Sequence, residues 1–307
     1  MKQLVVLGSV NADHVLHVED FPKPGETCHG HHYQIVAGGK GANQAVAAAR
    51  LGGKVSFIAC VGDDAIGQQM VTQFVQDGID TSMVMIQPNQ ATGLAMIQVS
   101  KSGENSICIA AEANAQLTAE KVTQYLPAIA DADALLMQLE TPLDGILSAA
   151  KAAQKAGTQV ILNPAPAQPL SDELLALVDM ITPNETEALQ LTGVHVVDKA
   201  SAEQAASILH AKGVHTVIIT MGRKGAWVSE QGQGYLSQGF VVKAVDTTAA
   251  GDTFNGALIT ELLNDQTLEQ ALRFAHGAAA LSVTCFGAQS SIPSRAQVSE
   301  FLTESSC

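Results

Sequence analysis

Positive charge is scarce in this chain of 307 residues: 16 lysines and arginines stand against 30 aspartates and glutamates, for a formal net charge of −14. A surface with that balance repels polyanions, so neither nucleic acid nor an anionic membrane is expected as a partner. Any phosphate has to be gripped locally, by main-chain amides, a metal ion or one or two placed cations. Paired cysteines are missing too. Cys28, Cys60, Cys108, Cys285 and Cys307 are scattered, form no Cys-x-x-Cys and, being odd in number, cannot all pair within the chain. They read as free thiols of a reducing compartment, which makes the expected location cytoplasmic. No apolar run approaches the ~20 residues of a membrane helix. The run Leu4 to Leu7 is too short for a secretory signal and meets Asn11 and Asp13 at once, so it reads as a strand. Two phosphate-binding signatures are also absent. The spacing G-x-x-x-x-G-K-[ST] fails around Lys40, where both the first glycine and the final hydroxyl residue are missing. No G-x-G-x-x-G follows the first apolar run, which argues against a dinucleotide-dependent oxidoreductase.

What is present is a rhythm. Strand-like runs at Leu4 to Leu7, Val55 to Val61, Ala134 to Met137, Val160 to Leu162, Met180 to Ile181 and Val217 to Ile219 alternate with helical patterns. The helical stretches are Gly41 to Leu51, Asp144 to Lys155, Asp172 to Leu177, Asn184 to Leu191, Ser201 to Ala211 and Leu268 to Val283. Such alternation predicts a mostly parallel sheet covered by helices on both faces. Polar or small residues follow the strand runs at Asn11 and Asp13, Gly62-Asp63, Gln138 and Glu140, Asn163, Asn184, and Thr220 with Gly222. In an open parallel sheet these positions share one edge, where ligands bind. Two stretches, about 14–37 and 93–110, break the rhythm with short alternating pieces, the second reading as a hairpin turned at Lys101-Ser102-Gly103. They predict a small separate sheet that covers the cleft on one face and meets a second subunit on the other. With no internal repeat or linker, residues 1–307 read as one domain.

Two segments carry chemistry. In Asp246-Thr247-Thr248-Ala249-Ala250-Gly251-Asp252-Thr253-Phe254-Asn255-Gly256-Ala257, small residues lead into an apolar-periodic run, which predicts a tight loop feeding a helix. The unpaired N–H groups and positive dipole end of that helix suit a phosphate near Ala249, Ala250 and Gly251. Asp252 beside it could take the proton of an attacking hydroxyl. In Ala37-Gly38-Gly39-Lys40-Gly41-Ala42-Asn43-Gln44 the glycines let the backbone approach a ligand, and Asn43 offers donor and acceptor to a hydroxyl pair. A third cluster, Cys28-His29-Gly30-His31-His32, looks ready for a metal, but adjacent side chains on a strand alternate sides, so a structural role is expected.

Together with Gly8-Ser9-Val10-Asn11-Ala12-Asp13 and Asn184-Glu185-Thr186-Glu187, these segments make nearly the whole chain resemble the ribokinase-type carbohydrate kinases, the PfkB family that also holds fructokinases and adenosine kinase. The resemblance implies a three-layer α/β/α sandwich with a β-sheet lid, often dimeric through that lid. It also implies ATP-dependent phosphorylation of ribose at the 5-hydroxyl, with Asp252 as general base and an anion hole at 249–252. Asn11, Asp13, Gly39, Lys40, Gly41, Asn43 and Glu140 are then the expected sugar ligands, with Asp252 facing them. Asn184, Thr220, Gly222, Gly225, Gly251 and His276 are expected at the nucleotide, and Glu187 is expected to order Mg²⁺ through water. A K⁺ site is implied at Asp246, Thr248, Ser282, Cys285, Gly287 and Ser291, largely through carbonyl oxygens. A kinase for another sugar or a nucleoside, and a non-catalytic sugar-binding regulator on the same fold, are the alternatives.

Overall fold

The computed structural model describes residues 2–230 and 232–305; Cys307 lies outside them. In chain order the strands are β1 (Gln3–Leu7), β2 (Asn11–His17), β3 (His32–Gly38), β4 (Lys54–Gly62), β5 (Val84–Gln87), β6 (Gly93–Val99) and β7 (Asn105–Ala110). They continue as β8 (Ala134–Met137), β9 (Gln159–Leu162), β10 (Met180–Ile181), β11 (Thr216–Thr220), β12 (Ala226–Glu230) and β13 (Gln233–Ser237). Nine of them form one sheet in the order β13-β12-β11-β10-β9-β8-β1-β4-β5. All its pairings are parallel except the β11-β12 and β12-β13 ladders at one edge.

The sheet is apolar on both faces because its strands are. Along β1, Leu4 and Val6 join one core with the helices Lys40–Arg50, Ala250–Leu263 and Leu268–Ser282. Val5 and Leu7 join a second core with the helices Leu143–Ala156 and Lys199–Ala211. A period of two with both phases buried gives three layers, helix, sheet, helix. The expected strands and helices are all present, with the stretch from Asp172 shortened to Asp172–Leu175. The helix Ala65–Gln76, capped by Asp64 accepting from Gly67 N–H, and the strands β5, β12 and β13 lie outside the expected set.

The remaining four strands make the separate small sheet, in the order β3-β2-β6-β7, with the hairpin of β6 and β7 where it was expected. Its start differs from the expected position near 14. Ladder pairing begins at Asn11, which faces Gly38 on one side and Gly93 on the other. Asn11 and Asp13 are therefore residues of the lid itself rather than of a loop at the end of β1.

Candidate active site

The helix Ala250–Leu263 begins without a side-chain cap: its N-cap is Ala249, held at φ 58° in the left-handed region. Asp252 is therefore not a cap. Its carboxylate, 7 % exposed, turns toward the neighbouring helix, where Asn43 Nδ2 donates to Oδ2 and Gln44 Nε2 donates to Oδ1, each at 2.9 Å. The approach depends on Gly256 one turn along, since a Cβ there would stand 2.6 Å from Ala47 Cβ and 2.8 Å from Gln44 O. Of the expected anion-hole amides, that of Ala250 is already engaged, donating to Thr247 O at 3.3 Å. The N–H groups of Ala249, Gly251 and Asp252 donate to nothing among the described residues. A side chain at 251 would project into open space, so the cradle in front of these amides is open.

On the other side of this cradle stand the lid and the start of the helix Lys40–Arg50. Gly39, at φ 89°, brings the chain so close to Asn11 that a Cβ would lie 2.7 Å from Asn11 N. Glu140 Oε2 accepts from Ser9 Oγ at 2.6 Å and from Lys40 N–H at 3.0 Å, leaving Oε1 for another donor. The buried Asn43 Oδ1 has no partner, and an orphaned buried acceptor of this kind calls for a ligand donor. Burial, then the charge of Glu140 and that of Asp252, raise Asp13 to about 7, with Lys40 opposing. Burial opposes the charge on Lys40, yet Asp252, Glu140, Glu187 and Asp13 together outweigh it and raise the lysine. Residues assigned to the sugar from sequence thus meet around Glu140 and Asp252, a region crowded with acceptors in which the half-buried Lys40 carries the positive charge.

Of the residues expected at a nucleotide, Asn184 and Thr220 come together at neighbouring strand ends. A bridge pairs Asn184 with Thr220, beyond which come the turn residues Gly222 and Gly225. His276 is buried against the Phe254 ring, its Nε2 3.2 Å from Ser237 Oγ, and burial lowers it to about 4, so it is a neutral ring at pH 7. Asn184 and Glu187, one helical turn apart, meet side chain to side chain. They form a capping box, in which Glu187 Oε2 accepts from Asn184 N–H and Oε1 from Asn184 Nδ2, both at 2.9 Å, while Asn184 Oδ1 accepts from Glu187 N–H at 2.8 Å. With both oxygens occupied, Glu187 fits a hydrated cation better than direct ligation. The loop from Asp246 closes on the loop 285–291: Asp246 Oδ2 accepts from Gly287 N–H at 2.9 Å and Oδ1 from Thr248 N–H and Oγ1. Ser282 O accepts from Cys285 N–H, and the hydroxyls of Ser282 and Ser291 donate to Ala279 O and Ala288 O. The carbonyls of Asp246, Thr248, Cys285 and Gly287 accept no hydrogen bond among the described residues, the donor set a large monovalent cation requires. No group of three or more metal-ligating side chains occurs among the described residues, the histidine-rich stretch included.

The profile of the pfkB family carbohydrate kinases matches residues 1–295. The chain belongs to that family. This carbohydrate kinase is similar to the ribokinase of Haemophilus influenzae, 58 % identical over 301 residues that cover 98 % of each chain. It is also similar to the ribokinase of Staphylococcus aureus, 40 % identical over 97 % of this chain and 99 % of the other. Among solved structures it resembles the Arabidopsis thaliana ribokinase complexed with ribose and ATP, at a TM-score of 0.92 and 36 % identity over 98 % of both chains.

Several groups that shape the kinase's cleft were not singled out from sequence. Asn114 donates from Nδ2 to Asn11 Oδ1 at 2.8 Å and accepts from Val10 N–H at 2.9 Å, fixing the side chain that opens the lid strand. Arg50 grips Asp77 at 2.7 and 3.1 Å and donates to Gln289 O, tying the far end of the helix Lys40–Arg50 to the 285–291 loop. Neither position has a local signal: Asn114 sits in a 3₁₀ turn and Arg50 ends a helix, as many such residues do.

Proposed function

We propose that the protein transfers the terminal phosphoryl group of ATP to the 5-hydroxyl of D-ribose. The observation that carries this reading is the arrangement at one helix start, where unengaged N–H groups of Gly251 and Asp252 stand beside a buried carboxylate that is held by Asn43 and Gln44 and whose charge reaches Asp13 of the lid strand. The sugar is held by Asn11, Asp13, Gly39, Lys40, Gly41, Asn43 and Glu140, a set rich in acceptors and suited to a neutral polyol. Asp252 removes the proton from O5. As the O5–P bond forms, the bond to the β-phosphate oxygen breaks and ADP leaves, the Ala249, Gly251 and Asp252 amides stabilising charge on the moving group. His276, Asn184, Thr220, Gly222 and Gly225 hold the nucleotide. Mg²⁺, ordered through water near Glu187 and Asn184, neutralises phosphate charge when bound. K⁺ would be held by the carbonyl-rich loops of Asp246, Thr248, Ser282, Cys285, Gly287 and Ser291, where it would supply a fixed positive charge.

The lid excludes the water that would otherwise intercept the phosphoryl group. Its outer face is assigned to a second copy of the chain, giving a homodimer, and residues 1–307 to one ribokinase-like unit. The exposed, unpaired Cys28, Cys108 and Cys285 support a reducing location, the cytoplasm. No helix among the described residues is long and apolar enough to cross a membrane. A nucleoside acceptor is the weaker reading, because the lid offers the cleft small aliphatics such as Ala95 and Ile109 in place of a broad apolar surface for a base. The test is ADP release with ribose, deoxyribose, fructose and adenosine, each in K⁺ and in Na⁺. Ribose should exceed deoxyribose by roughly 10-fold or more, since one unmatched buried acceptor costs about 1–3 kcal/mol. Equal or greater turnover of adenosine or fructose would reject the assignment, and sugar binding without ADP release would favour a non-catalytic regulator.

A further inference from the structure

Behind Asp252 lies a layer of buried amides to which the reading above gives no task. Gln44, fully buried, divides its side chain among three partners. Its Nε2 donates to Asp252 Oδ1 and to Asn163 Oδ1, each at 2.9 Å, and its Oε1 accepts from Gln138 Nε2 at 2.6 Å. Asn163 in turn donates from Nδ2 to Thr182 O at 3.0 Å, and Thr182 Oγ1 donates to Asn255 Oδ1 at 2.6 Å. Asn255 stands in the same helix as Asp252, so the network leaves that helix and returns to it.

The polarity of this chain of bonds is fixed from its far end. A main-chain carbonyl only accepts, so the atom of Asn163 facing Thr182 O is nitrogen and its other atom is oxygen. That oxygen requires a nitrogen from Gln44, and the same nitrogen, with its two hydrogens, is then the atom presented to Asp252. The orientation of Gln44 thus does not depend on the carboxylate it serves. The charges around Asp252 are mixed: Lys40, on the helix of Gln44, is the cation, and Asp13 from the lid and Glu187 from the helix Glu185–Thr192 are acidic neighbours. In that company a preset neutral donor matters, because it fixes the place of the carboxylate without adding a charge of its own.

We propose that Gln44 is a positioning residue for phosphoryl transfer, holding Asp252 Oδ1 so that Oδ2, on the side of Asn43, is the oxygen that receives the hydroxyl proton. The inference rests on Asp252 being the general base. Gln138 and Asn163 act through Gln44, fixing its plane.

The test compares kcat across pH for Gln44→Met, which keeps bulk and removes the donor, and Gln44→Glu, which places a second carboxyl against the first. For Gln44→Met the acid limb of the kcat profile moves up by about one pH unit, activity at pH 7 falls roughly 10-fold and recovers as pH is raised, and the KM for ribose changes little. For Gln44→Glu the limb moves further, because like charges disfavour ionisation. A merely structural glutamine would lower the melting temperature and leave the normalised profile where it was; superimposable profiles overturn the proposal. Should both variants fail to fold, Gln138→Met leaves the Gln44 to Asp252 bond in place but frees the Gln44 carbonyl. A displaced limb there upholds the proposal and an unmoved limb overturns it. Asp252→Asn separates the two layers of the argument. Full activity in that variant removes the base assignment itself, whereas an inactive Asp252→Asn beside an unshifted Gln44→Met removes only the role of Gln44.

Discussion

The two sheets of this molecule are built from similar apolar strands and end in opposite conditions. The nine-stranded sheet is closed off by its own helices on both faces, with Leu4, Val6, Phe57 and Leu136 all at 0 % exposure. The four-stranded lid leaves Ile35 at 46 %, Met96 at 55 %, Ile107 at 50 % and Ile109 at 47 %. Its register puts Asp13, Ala95, Ile107 and Ile109 on one face and His14, Ile35, Met96 and Cys108 on the other. A sheet with open apolar residues on both faces is incomplete alone, in contrast to one that carries its own cover. The large sheet therefore answers to stability, whereas under the proposed function the lid answers to what it would meet, substrate on the face of Asp13 and a second subunit on the face of Met96.

Substitutions can break or sharpen that contrast. The largest effect belongs to the closed sheet. Phe57→Ala, which removes a ring packed edge-on to Phe74 at a centroid distance of 5.5 Å, should cost about 3–5 kcal/mol in urea unfolding. A loss below about 1 kcal/mol would mean that this core is looser than its burial implies. On the lid, Met96→Asp should convert dimer to monomer in sedimentation while leaving protomer unfolding nearly unchanged; an intact dimer would move the interface elsewhere. Exchange of K⁺ for Na⁺ should lower turnover several-fold, and equal rates would remove the cation from the 246–291 loops. The last effect is electrostatic. Asp13, raised to about 7 by burial and by Glu140 and Asp252, binds more protons folded than unfolded between its ordinary value and 7. Its contribution to stability is therefore lost as pH rises through that window. Ligand-free Asp13→Asn should melt above the parent at pH 8 and level with it near pH 4; no difference at pH 8 would contradict the crowding of acceptors in the cleft.

The contrast between the sheets also decides what could be read from sequence. Strands such as Leu4 to Leu7 are legible because burial on both faces leaves a continuous apolar run, and helices because their small residues recur at helical spacing. The hairpin of β6 and β7 was legible from its turn. The antiparallel edge β12-β13 was not, since no chemistry drew attention to it, and neither was the early start of β2, because a polar Asn-x-Asp reads as a loop until Gly38 and Gly93 are seen to flank it. Around Asp252, motif spacing pointed to residues of the helix Lys40–Arg50 that do meet it, Asn43 among them. It could not tell that Ala250 N–H is already engaged with Thr247, nor that Asn184 and Glu187 spend their polar atoms on each other. Gln44 lay inside a recognised motif without an assigned task, because its meaning depends on Asn163 and Gln138, more than 90 residues away.

The central claim is that a carboxylate at the start of the helix Ala250–Leu263 takes a proton from a sugar held by the lid. Its most direct test pairs turnover with calorimetry of ribose binding for Asp252→Asn. The account predicts ADP release lowered about 100-fold or more, the scale on which a positioned general base acts, with ribose affinity within a few-fold of the parent protein. Turnover within a few-fold of the parent, with ribose still bound, would contradict it.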